Sequence, residues 1–86
     1  MKSEGENMRY MKIEWLKDEP NSKTLVAYIR HMFGELGLVE SGFKVFQGEG
    51  LVGCETPWLE KIRGALALKW QFKVTNVSGT RKHARQ

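Results

Sequence analysis

No acidic residue follows Glu60, and the 86-residue chain holds one cysteine, two prolines and a single aspartate. Each scarcity excludes something. A lone cysteine, Cys54, rules out an internal disulfide framework and fits a reducing, cytoplasmic compartment. No run approaches the ~20 apolar residues that cross a bilayer, so no membrane role is expected. The first seven residues are polar and contain no apolar core, which excludes a secretory signal. Residues 1–8 read as a flexible leader. What remains is ordinary for one small domain: 41% hydrophobic residues, enough for a core and too many for a disordered chain. A domain of this size buries only about 60–65% of its unfolded surface, so its margin of stability is thin.

The charge is unevenly placed. Residues 1–60 carry seven Lys/Arg and ten Asp/Glu, a balance of −3; residues 61–86 carry seven Lys/Arg and no acid, a balance of +7. The two sum to the net +4 of the whole chain. Such asymmetry points the C-terminal third towards a polyanion. The plain alternative is a solvated basic tail, here residues 81–86.

Periodicity supplies the elements. Met11, Ile13 and Trp15 alternate with Lys12 and Glu14, the pattern of a half-buried strand over 9–16. Lys17-Asp18-Glu19-Pro20 is a turn. Asn21 or Ser22 caps a helix whose apolar face is Leu25, Val26, Ile29, Met32, Phe33 and Leu36. Gly37 is placed as its left-handed terminator, and Gly34 as a mild weakening of the last turn. Phe43–Phe46 and Leu51–Cys54 form a hairpin about Gly48-Glu49-Gly50. Thr56 as N-cap and Pro57 at the first position open a second helix. Its inner stripe is Leu59, Ile62, Leu66 and the stem of Lys69, with Ala65 and Ala67 allowing close approach. Phe72–Val77 is a last strand with Phe72, Val74 and Asn76 on one face. The order β-α-β-β-α-β over 9–80 predicts an α/β (α+β sandwich), ferredoxin-like and RRM-like domain. Its antiparallel sheet carries two helices on one face and leaves the other open. This fold serves many functions and by itself names none.

The catalytic inventory is poor. His31 and His83 stand in no metal-ligand spacing with Cys54, which reads as a buried structural thiol. No carboxylate pair or Ser/His/Asp arrangement is present. Phe46-Gln47-Gly48 resembles part of the acylphosphatase loop, but it follows the wrong element and lacks the arginine. The third strand, Leu51-Val52-Gly53-Cys54, lacks the aromatics of the standard RNA-recognition signature. Phosphate and shape recognition is therefore expected rather than base stacking. Trp15, Trp58 and Trp70 read as core or interface residues. The most informative stretch is Val77-Ser78-Gly79-Thr80-Arg81-Lys82. Two hydroxyls and a glycine at a strand end make an anion nest, and Arg81, Lys82 and Arg85 add charge beside it. Lys61, Arg63 and Lys73 extend the basic set.

These features occur in a particular order. A helix ending Phe33-Gly34-Glu35-Leu36-Gly37 precedes Gly50-Leu51-Val52, then Trp58-Leu59-Glu60-Lys61-Ile62-Arg63-Gly64-Ala65-Leu66-Ala67-Leu68, then Val77-Ser78-Gly79-Thr80-Arg81-Lys82. In this the chain resembles ribonuclease P protein component 2, the small ferredoxin-like subunit of the archaeal and eukaryotic enzyme, over roughly residues 9–85. Gly53 stands where that family usually has a basic residue, and Arg81 where an aliphatic one is usual. The resemblance implies an RNA-binding subunit with no activity of its own. It would assist a catalytic RNA in removing the 5′ leader from precursor tRNA, with Mg²⁺ used by the RNA and no cofactor bound by the protein. The implied partners are ribonuclease P RNA, precursor tRNA and a TIM-barrel-like protein subunit, with a homodimer within a heterotetramer. The rival reading is a ferredoxin-like protein-interaction or regulatory module with an incidental basic tail.

Overall fold

The computed structural model describes residues 8–84. Strand β1 (Met8–Trp15) leads into helix α1 (Ser22–Ser41), then β2 (Lys44–Phe46) and β3 (Leu51–Glu55). A 3-10 turn (Thr56–Trp58) precedes α2 (Leu59–Ala67), β4 (Phe72–Ser78) and a short α3 (Arg81–Ala84). The four strands form one antiparallel sheet in the order β2-β3-β1-β4. This is the ferredoxin-like α+β arrangement expected from the sequence.

The alternation in β1 and β3 decides which face is filled. Met11 lies opposite Val52, which in turn lies opposite Val45. These side chains meet Leu25 and Ile29 of α1 and Ile62, Ala65 and Leu66 of α2 in one core, so both helices cover the same face. Burying a side chain of that kind contributes about 1.5–3 kcal/mol. The Tyr28 hydroxyl donates to the Ala65 carbonyl at 2.7 Å and ties the helices together. Trp15 packs against Trp70 and Phe72, and Phe33 against Trp58. All three tryptophans are thus partly buried packing residues.

Several local readings need correction. Met8, assigned to the leader, is the first residue of β1 and is buried; residues 1–7 lie outside the described range. Asn21 is the cap of α1, its side chain accepting from the Thr24 amide at 2.8 Å. Gly37 does not end this helix. It is buried inside it, its α-carbon so close to Phe33 and Trp58 that a Cβ would lie 2.7 Å from the Phe33 Cβ. The left-handed terminator is Gly42, φ 63°, whose amide donates to the Val39 carbonyl. Gly34, at φ 80° and ψ 172°, breaks the helix into two segments rather than merely weakening it. Thr56 begins the 3-10 turn and Glu55 occupies the cap position, with no side-chain cap bond. Ala67, the last residue of α2, is exposed, and so is Lys69, which lies beyond the helix end rather than on its inner stripe. Opposite Lys12 and Ile13 the β4 register slips by one residue, leaving Thr75 as a bulge, so Asn76 does not share the face of Phe72 and Val74 as expected but lies on the opposite one.

Candidate nucleic-acid interface

The basic residues after Glu60 fall into two groups. Arg63 on α2 and Lys73 on β4 line the same open groove, of about 670 Å³, with Leu16, Ala67, Trp70, Gln71, Phe72 and Val74. No acid lines it. The groove forms because β4 is a sheet edge and the α2–β4 connection is short, which brings the outer side of α2 beside the strand. Lys61 points elsewhere, its ammonium 4.8 Å from the centroid of the Trp58 ring. Lys69 lies over Tyr28 and Trp70. Neither lysine lines the groove.

The second group lies at the C-terminus. Of the residues expected to trail as a tail, Arg81–Ala84 form α3, and Ala84 is fully buried. Thr80 is the N-cap of this helix: its hydroxyl oxygen accepts from the His83 amide at 3.2 Å. The Ser78 hydroxyl oxygen accepts from the Thr80 amide at 3.3 Å. The groups expected to cradle an anion are therefore engaged in building the turn. Gly79 sits against the Arg9 guanidinium, 3.3 Å from where a Cβ would stand. Arg81 forks onto Glu49, its Nε donating to Oε1 at 3.1 Å and its Nη2 to Oε2. That bond, above all, raises the Arg81 pKa above its ordinary value. Lys82 is exposed, and Arg85 lies outside the described residues.

Helix α3 occupies the sheet face that the sequence leaves open. Tyr10, Gly53 and Lys44 stand in one cross-strand row of that face, and Asn76, Lys12, Leu51 and Phe46 in the next. The Asn76 amide nitrogen donates to the carbonyls of His83 and Ala84, at 2.9 and 3.4 Å. Arg81 reaches over Phe46, its guanidinium carbon 4.2 Å from the ring centroid. Phe46 in turn meets Tyr10, with centroids 5.8 Å apart. Sequence reasoning missed this pair, because its aromatics lie on β1 and β2 while the expected signature belongs on β3. The one clue was Gly53: an added Cβ would come within 2.9 Å of the Tyr10 ring, so only glycine lets the two rings meet across β3.

Cys54 lies on the other, helix-covered face and is fully buried. Burial, helped by the neighbouring Glu55 carboxylate, pushes its thiol up to about 11 from 9.0. The thiolate fraction near neutral pH then drops roughly 100-fold against a free thiol, so native Cys54 should resist alkylation while the unfolded chain reacts. The folded pKa exceeds the unfolded one. The stability gained by keeping the thiol neutral is therefore complete below pH 9 and is lost as pH rises towards about 11. Chemical denaturation across that range should show wild type losing stability relative to Cys54→Ala; parallel curves would contradict this burial.

Among the described residues no three His, Cys, Asp or Glu side chains gather into a metal-binding group, and no helix there is long and apolar enough to cross a membrane. Set against known proteins, the chain matches no family model and no curated protein sequence.

Proposed function

We propose that this chain is an RNA-binding accessory subunit of the ribonuclease P type. It assists a catalytic RNA in removing the 5′ leader from precursor tRNA and performs no chemistry itself. The observation that carries the reading is the groove beside the β4 edge, lined by Arg63 and Lys73 and by no described acid, with Glu14 across the strand from Lys73, in a chain whose last 26 residues carry +7. Such a surface suits phosphate contacts, which position RNA without reading its sequence. The ordered motifs that resemble ribonuclease P component 2 specify which RNA. Mg²⁺ in this scheme belongs to the RNA.

A second reading, a protein-interaction module, is favoured by Met32, Leu36 and Val39 of α1, which are exposed, Leu36 and Val39 by 70% and 73%. The two are compatible if that face meets the TIM-barrel-like subunit. Co-reconstitution separates them. Added to the catalytic RNA with its protein partner at limiting Mg²⁺, the chain should raise the rate of precursor-tRNA cleavage. Alone, it should leave precursor tRNA intact. No stimulation, together with no salt-dependent RNA binding, would leave the interaction module as the function.

A further inference from the structure

The sheet face opposite the main core carries an aromatic pair with a cation stacked on it. Tyr10 and Phe46 lean together over Gly53, their rings tilted by 52°. Lys44 lies in the same row as Gly53 and is exposed. Arg81 covers Phe46 at 4.2 Å from the ring centroid, a planar group lying where a planar base would stack. It is held there by Glu49 at the β2–β3 turn. The clasp is slight. A helix of four residues does not persist alone. Among the described residues it is anchored by the Arg81–Glu49 ion pair, the Arg81–Phe46 stack, the two Asn76 bonds and the buried Ala84. Elements held by so few contacts open locally at low cost.

We propose that Tyr10, Gly53 and Phe46 form a stacking site for an unpaired nucleobase of single-stranded RNA, and that Arg81 shuts it by occupying the base's place over Phe46. The proposal rests on the RNA-binding reading above and adds a ligand class to it. When a strand arrives, the base takes the ring and Arg81 transfers from Glu49 to phosphate, so the latch becomes a backbone contact. Aromatic faces accept any base, which makes the site tolerant of sequence. Lys44 and the exposed Lys82 flank the path of the strand with positive charge.

Two probes of equal length test it: a single-stranded oligouridylate and an abasic strand with the same backbone, each followed by fluorescence anisotropy. Wild type should bind the uridine strand about tenfold more tightly than the abasic one. Glu49→Gln loosens the latch and should raise uridine-strand affinity about two- to fivefold, as expected for loss of an exposed ion pair. Phe46→Leu should abolish the preference while leaving abasic affinity unchanged. A readout independent of that variant's folding is the NMR spectrum of wild type. Its Phe46 and Tyr10 ring resonances should shift on adding the uridine strand and stay still with the abasic one. Equal affinities in wild type and Glu49→Gln, or unmoved ring resonances at saturation, overturn the stacking site. If folded catalytic RNA still binds with a salt-dependent affinity in that case, the accessory-subunit reading stands without it. If no RNA binds at all, both fall.

Discussion

Replacing Ile62 by alanine is expected to lower the stability of the fold by about 2–5 kcal/mol. Ile62 is fully buried on α2 and packs in the cluster that joins Met11 and Val52 of the sheet to Leu25 and Ile29 of α1. Removing three carbons there forfeits their transfer from water and leaves a hole between two layers that meet from opposite sides. A domain of this size has a total stability of roughly 4–13 kcal/mol, so the variant would stand near the edge of folding. Urea denaturation with an unchanged m-value is the measurement. Leu36→Ala provides the contrast. It removes an equally large side chain that is 70% exposed, and should change stability by no more than about 0.5 kcal/mol. A loss below about 1 kcal/mol at Ile62 would mean that α2 does not pack on the sheet as described.

The largest effect on binding is expected from Arg63→Ala combined with Lys73→Ala. Both cations line the β4-edge groove, and removing two phosphate contacts should flatten the plot of log affinity against log salt by about 1.4–1.8. At about 0.1 M salt the affinity for folded RNA should drop on the order of tenfold. Arg81→Ala with Lys82→Ala removes as many charges, yet its effect on folded RNA should be smaller. On RNA that leaves the latch shut Arg81 stays paired with Glu49, so the loss there amounts to the single contact of Lys82, a slope change of about 0.7–0.9. The sequence puts the C-terminal pair first, and the Arg81–Glu49 ion pair is the reason for the opposite order expected here. Affinity measured at several salt concentrations, with circular dichroism to confirm folding, decides the order. An unchanged slope for the Arg63/Lys73 pair would remove the groove from the RNA surface.

What was legible in the chain is what short-range rules govern. Strand alternation in Met11–Trp15, the apolar face of α1 around Leu25 and Ile29, a cap at Asn21 or Ser22 and the hairpin turn at Gly48-Glu49-Gly50 each depend on residues a few positions apart. The element order, and with it the fold, follows from them. An error appears at the end of α1, where the sequence reading places the terminator at Gly37 and not at Gly42. Gly37 is held inside α1 by Phe33 and Trp58, and Gly42 takes the left-handed turn.

By itself the sequence determined the element order, the helix-covered face of β1 and β3 and the crowding of cations after Glu60. Those are properties of spacing and composition. Only the tertiary structure decided which cations share a groove, that the basic C-terminus folds back as α3, and that Tyr10 and Phe46 meet over Gly53 beneath Arg81. These depend on strand register, which joins residues far apart in the chain through backbone hydrogen bonds that carry no side-chain signature.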